Sequence, residues 1–378
     1  MRTVGSHSRP TTPPPILSTF LMPVAMTDTA ETHVYPVLWQ QDHVLLIDQT
    51  KLPQDYIVVA ISRCEDMLTA INSRLVRGGP ALGMAAAYGL YLGARDIQTV
   101  DRDAFLERLE AISEQLKGSR PDKANLLWCL DYMVKVAHDS EGTVADLQAK
   151  LLATAQDLQR QDWDICRAIG RHGLAALPDT PEKLTLYTHC NHGALATSGY
   201  GTSLGVVRTA WQAGRVEQVI VGETRPWLQG SRLTAWECVQ EGIPVTVVTD
   251  SMAAYCMQQG WIHGVLVGAD RIAANGDTVN KIGTYPLALA AKAQGVPFFV
   301  AASLAAVDFT LPNAEGVTIT QGNVADVCQL GGIQVCPPGV AAFHPLADVT
   351  PAELITAIIT EKGAIAPADL ASYASQQP

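Results

Sequence analysis

Residues 184–205 read LTLYTHCNHGALATSGYGTSLG, and the fold is decided there. The run begins with an apolar segment, Leu184 to Tyr187, suited to a buried strand, and breaks into a Gly-rich turn that leads into a helical pattern. Strand, turn, helix is where α/β proteins place their chemistry. Side chains and backbone N–H groups converge at the carboxyl end of a parallel strand, and the following helix directs its positive end into the same crevice. Cys190 occupies the turn beside His189, Asn191 and His192, so one short segment offers a thiol, two imidazoles and an amide.

Working outward, the pattern alternates from residue 183 onward. Apolar runs at 184–188, 218–222, 243–249, 264–268 and 297–302 predict strands, each followed by a turn and a helical stretch. Continuous apolar strands alternating with helices predict an α/β fold: a Rossmann-like parallel sheet with helices on both faces, all strand ends opening onto one edge. Upstream, residues 33–48 predict two short strands joined by a polar turn and closed by QTKLP, and helical spacing covers 64–75, 81–92, 103–116, 124–136 and 142–177. The expected organisation is therefore an extension over 1–30, a mostly helical unit with a small β element over 31–178, and a Rossmann-like catalytic unit over 179–378. Pro13 to Pro15 and Pro23 interrupt the apolar run of the extension, which favours a disordered or upstream-started segment, with Met26 as an alternative initiator, over a targeting peptide.

Composition limits the function classes. The chain has 378 residues, 48% apolar and 17% charged, with a formal charge of −11. That balance argues against general nucleic-acid affinity, and an anionic ligand must meet a local cluster of positive charge. The eight cysteines are scattered, with no C-x-x-C and no zinc-finger spacing, as in a reducing, cytoplasmic setting. No apolar run approaches the roughly 20 residues needed to span a bilayer.

Cys190 taken alone is more readily a small buried hydrophobe than a working thiol. Asp270 shifts the balance. Residues 265–270, VLVGAD, form an apolar strand ending in a carboxylate at the same sheet edge; the following RIAANGD is not helical, so the carboxyl is expected to be buried, with a raised pKa, as a general acid or base. Asp250 ends its strand in the same way, but MAAYCMQQ follows, and an ordinary helix cap is expected. The glycines of 199–205 carry one residue too many for a dinucleotide fingerprint and are expected within the helix, where small residues allow close packing. Four polar segments could hold an anion: Arg77-Gly78-Gly79-Pro80, Arg120 in SRPD, Gln229 flanked by Arg225 and Arg232, and Asn280-Lys281 before a helix starting near Thr284. Each, taken separately, is more readily a solvated or capping residue. His192 has no second cluster of matching spacing with which to hold a metal.

RGGPALGMAAAYGL, THCNHGALATSGYGTSLG, ETRPWLQGSRLTAWE, TDSMAAY, GADRIAANGDTVNKIGTYPLA and DVTPAELITAIITEKG, in that order, resemble the methylthioribose-1-phosphate isomerase family of methionine salvage. The resemblance runs from about residue 37 to 367. It implies an aldose-to-ketose isomerisation of a sugar phosphate, with no cofactor and no metal, in a homodimer. By position, it implies Cys190 and Asp270 as the catalytic pair and Arg77, Gly78, Gly79, Arg120, Gln229, Asn280 and Lys281 as substrate-binding residues. The family shares its C-terminal fold with ribose-1,5-bisphosphate isomerases and with regulatory subunits of an initiation exchange factor. The first would need a second basic site, and the second would need no reactive pair. Departures from the family pattern are His192 where Thr is usual, Gly79 where Ala is usual, PDKAN at 121–125 and the stretch 313–326. His192 is the one near the chemistry, and it leaves the acidity of Cys190 open.

Overall fold

The computed structural model describes residues 34–121 and 123–376. The extension over 1–30, its alternative start at Met26, and Asp122 of the turn after Arg120 lie outside the described residues.

The chain opens with an antiparallel sheet of β1 (Val37–Gln40), β2 (His43–Ile47) and β3 (Val58–Ile61). The first two strands were expected. The third is an addition: its four residues show no clean alternation, and a short apolar run without a period is ambiguous. Five helices follow: α1 (Cys64–Asn72), α2 (Gly79–Arg95), α3 (Arg102–Ser119), α4 (Ala124–Asp139) and α5 (Val144–Ala176). α2 is buried along almost its whole length, and its small residues are what allow this. A Cβ on Gly83 would sit 2.8 Å from Cys129 Sγ and 3.2 Å from Asn125 O, so α4 can cross at that distance only over a glycine. α5 starts in a capping box of Thr143 and Asp146 and packs on α2 and α4 at one side and on the main sheet at the other.

The main sheet has seven strands. In chain order they are β4 (Leu184–Thr188), β5 (Val216–Gly222), β6 (Val245–Val248), β7 (Gly264–Val267), β10 (Phe298–Ala301), β15 (Ala357–Thr360) and β16 (Gly363–Ile365). Their spatial order is β16-β15-β10-β7-β4-β5-β6, all parallel except β16, which turns back along β15. Successive side chains enter opposite cores: Leu186, Leu266, Phe299 and Ile359 pack toward α5 and α6 (Ser203–Gln212), while Tyr187, Val265, Val300 and Ile358 pack on the other face. This two-sided burial is why the strands read as unbroken apolar runs.

Between β7 and β10 lies a hairpin, β8 (Arg271–Ala273) and β9 (Thr278–Lys281), followed by α7 (Thr284–Gln294). β11 (Val307–Asp308) and β14 (Ala347–Thr350) complete its small sheet. The short pair β12 (Gln329–Leu330) and β13 (Ile333–Gln334) sits in the segment between them. Of the glycines of 199–205, Gly205 lies within α6 as expected and the other two do not. Gly199 (φ +131°) and Gly201 (φ +88°) lie in an irregular loop before α6, where the chain needs left-handed backbone.

Candidate active site

From β4 the chain steps outward through β5 to β6, then returns to place β7 on the other side of β4. The crevice at such a reversal, beyond the carboxyl ends of the two diverging strands, is where open α/β sheets bind ligands. Here β4 delivers His189 and Cys190 to it, and β7 delivers Gly268, Ala269 and Asp270.

Cys190 is buried with φ +64°, a left-handed conformation for a residue with a side chain, costing of order 1–2 kcal/mol. It is held at both ends. Its N–H donates to Thr224 Oγ1 at 2.8 Å, and its carbonyl accepts from Thr234 Oγ1 at 2.6 Å. Burial pushes the thiol up. The charges of Arg77 and then Lys281, and the N–H of Asn191, pull it back, while the Asp270 carboxylate again pushes it up. Arg77, Lys281 and Asp270, from three separate parts of the chain, therefore act on one sulfur.

Arg77 is fixed in place. Its Nη1 and Nη2 donate to Asn191 Oδ1 (2.8 Å) and Asn191 O (2.9 Å). Asn191 in turn donates to Thr234 Oγ1 and to Glu237 Oε1. The Glu237 carboxylate, wholly buried, also accepts the N–H groups of Ala194 and Leu195 and pairs with Arg208, which Glu241 holds from the other side. Gly78 (φ +92°) lies so close to this loop that a Cβ would meet Ala196 Cα at 2.4 Å. Gly79 begins α2 against Asn125 of α4. The start of α2 is thus docked on the loop that carries Cys190.

Asp270 corrects an expectation: it is exposed, not buried. The reason is the hairpin that RIAANGD forms, in which Asp270 N–H donates to Val279 O and the chain leaves the sheet interior. The same hairpin brings Asn280 and Lys281 back beside Asp270. Asn280 is fully buried and donates to Thr284 Oγ1. Lys281 is buried, which lowers its ammonium pKa against the opposing pull of Cys190 and Asp270, and its Nζ lies 4.3 Å from the Trp227 ring centroid. Gln229 is buried with no partner for Oε1 among the described residues. Arg120 ends α3, in the turn that also carries Lys123, whose charge acts on Lys281.

Arg225 and Arg232, read as flanking cations, do structural work instead. Arg232 donates to the carbonyls of Gln49, Thr50 and Leu52, and Arg225 to those of Pro226, Asp326 and Val327. Asp250 is not a plain helix cap either, because its carboxylate accepts the N–H groups of Thr224 and Arg225. His192 Nδ1 accepts the N–H of Gly268 at 3.3 Å. Burial, and next the Arg77 charge, bring the His192 imidazole down to about 3, so this residue adds no positive charge beside Cys190 at neutral pH.

Sequence reasoning passed over Trp227, Thr224, Thr234, Glu237 and Asp348. Asp348 pairs with Asn280 across β14 and β9, accepts the N–H groups of Gly283 and Tyr285, and is pushed by burial up to about 6. Only a strand partner remote in sequence reveals it. For Thr224 the signal present in the sequence was a threonine directly after a strand end, which is too common to single out.

The order of the sheet and the polar groups at its reversal define a doubly wound α/β protein with a buried thiol set among charged side chains at that reversal. A profile of the Initiation factor 2 subunit family matches residues 75–367. A methylthioribose-1-phosphate isomerase of Nostoc sp. is 58% identical, over 91% of this chain and 99% of the relative. Among solved structures, 5-methylthioribose 1-phosphate isomerase from Pyrococcus horikoshii OT3 is similar at TM-score 0.86 and 36% identity, covering 91% of this chain and 95% of that one. A structure described as translation initiation factor eIF-2B, subunit delta, from A. fulgidus is similar at TM-score 0.82 and 39% identity, covering 89% and 97%. The chain belongs to the methylthioribose-1-phosphate isomerase branch of the Initiation factor 2 subunit family.

Proposed function

We propose that the chain isomerises 5-methylthioribose 1-phosphate to 5-methylthioribulose 1-phosphate at the β4/β7 crevice. The observation that carries this is the convergence of Arg77, Lys281 and Asp270 on the Cys190 thiol. A phosphorylated anomeric carbon cannot open its ring unaided, so the C1–ring oxygen bond must break with proton delivery to that oxygen, and the hydrogen on C2 must end on C1 as O2 becomes the ketone. In this reading Asp270 exchanges the proton with the sugar oxygens and Cys190 faces C1 and C2. Lys281, Arg77 and Arg120 supply positive charge for the phosphate dianion, and the backbone of Gly78 and Gly79 at the start of α2 supplies N–H groups. Gln229 and Asn280 orient the hydroxyls, fixing the sugar for reaction.

Deuterium at C2 separates two ways of moving the hydrogen. Loss of label to water marks a proton carried through an enediolate, and full retention marks a hydride passing from C2 to C1. The assay that tests the function is ketose formation from 5-methylthioribose 1-phosphate beside ribose 1,5-bisphosphate. Turnover of the first alone is expected. Preference for the second would make the chain a bisphosphate isomerase, and turnover of neither would make it a non-enzymatic subunit of the same fold.

The assembly in this reading is a cytoplasmic homodimer. Edge strand β6 exposes Val247, with Val239, Met252 and Tyr255 nearby also exposed, and burying such a face against a second copy is favourable. Light scattering is expected to give twice the chain mass, and a monomer at micromolar concentration would refute the dimer. Among the described residues no helix is long and apolar enough to cross a membrane.

A further inference from the structure

The ends of three neighbouring strands are laced together behind the thiol. Asp250 follows β6, and its carboxylate accepts the N–H of Thr224 at 2.8 Å and of Arg225 at 2.7 Å. Thr224 follows β5 with φ +66°. Its Oγ1 accepts the N–H of Cys190 at 2.8 Å while donating to Gly222 O at 3.0 Å. Cys190 follows β4, also left-handed. A β-branched residue at positive φ is a true outlier, and such backbone persists only where its surroundings over-determine it. Two charge-assisted bonds from one carboxylate to successive N–H groups are that determinant. They hold Thr224 in the conformation that turns its hydroxyl to the Cys190 N–H.

We propose that Asp250 is a positioning residue for Cys190, acting through the left-handed backbone and hydroxyl of Thr224. The chain of bonds is specific in its demands. Thr224 Oγ1 gives its own proton to Gly222 O, which leaves its lone pairs for Cys190. That arrangement needs a hydroxyl at 224 and an acceptor-only group at 250. An amide at 250 would present N–H to N–H on one side. A methyl in place of the hydroxyl would leave the buried Cys190 N–H without a partner. In either case the thiol moves relative to the sugar carbons, and displacement on the order of 1 Å costs about a hundredfold in rate. Phosphate binding is untouched, because neither Asp250 nor Thr224 belongs to the cationic set.

The inference rests on the reading that Cys190 takes part in the isomerisation. The experiment compares Asp250→Asn, Thr224→Val, Thr224→Ser and Cys190→Ser in the full chain, measuring kcat and KM separately. Expected are kcat values lowered roughly ten- to a hundredfold in Asp250→Asn and Thr224→Val, with KM within about twofold of wild type. Thr224→Ser, which keeps the hydroxyl, should hold kcat within about threefold. Wild-type kcat in Asp250→Asn while Cys190→Ser is inactive overturns the inference and leaves the functional reading standing, whereas wild-type kcat in Cys190→Ser overturns that reading itself. A loss shared equally by Thr224→Ser, or one carried in KM, also overturns the inference. Should Thr224→Val fail to fold, Asp250→Asn set against Thr224→Ser decides alone.

Discussion

Lys281 lies with its ammonium 4.3 Å from the centre of the Trp227 ring, and the indole N–H of Trp227 donates to Asp326 Oδ2 at 2.7 Å. The segment before β12 thereby fixes the aromatic surface on which this lysine, proposed above to hold the phosphate, rests. A desolvated cation over an indole face gains about 1 kcal/mol or more. Trp227→Leu is expected to raise KM for the sugar phosphate about fivefold, with a smaller change in kcat. Steady-state kinetics check this, and an unchanged KM would show that the ring does not hold Lys281 for the ligand.

Cys190→Ser keeps the size and the backbone bonds but replaces the thiol, and Asp270→Asn removes the exchangeable proton at an exposed site. Each is expected to lower turnover by orders of magnitude, roughly 10²–10⁴-fold for loss of a general acid or base. Melting temperatures should stay near wild type for Asp270→Asn, because nothing buried is disturbed. Near-normal rates in either variant would remove that residue from the mechanism.

His192 is neutral in the fold, with its pKa brought from 6.5 down to about 3. Its folded value lies below its unfolded one, so the unfolded chain binds the extra proton. Its contribution to stability is complete above pH 6.5 and is lost as pH falls toward 3. Between pH 7 and pH 5 this group alone costs up to about 2 kcal/mol. His192→Thr is expected to flatten urea-unfolding stability over that interval. Equal pH slopes in the two proteins would mean the imidazole is not held neutral.

Glu237 joins Arg208, Asn191 and two loop N–H groups with no exposed surface. Removing one partner of a buried charge pair costs about 3–5 kcal/mol. Glu237→Gln is therefore expected to lower the melting temperature by several degrees and to weaken substrate binding through Arg77. Calorimetry and KM measure the two effects. A stability unchanged to within 1 kcal/mol would show that the carboxylate is dispensable.

Much of the architecture was legible in residue order. α1 to α5 and strands β4, β5, β6, β7 and β10 follow from local periodicity, because a helix face or a doubly buried strand shows in neighbouring residues. β3, β15 and β16 are not legible there, being short runs whose pairing partners lie elsewhere. In residue order the segment of β8 and β9 shows only that it is not helical, which places Asp270 inside, whereas the hairpin exposes it. The same hairpin explains how Asp270 and Asn280-Lys281 come to share a site.

The sequence by itself determined that a strand ending in Cys190 leads a series of βα units, and the family blocks pointed to candidate site residues by position. Tertiary structure alone decided what surrounds the thiol: Arg77 locked to Asn191 across 114 positions, Thr224 against its N–H, Lys281 on Trp227, and Asp348 opposite Asn280. Periodicity records which face of an element is apolar. Hydrogen bonds and charge interactions among residues far apart in the chain arise only when the sheet order brings their loops to one edge, and no local pattern encodes that order.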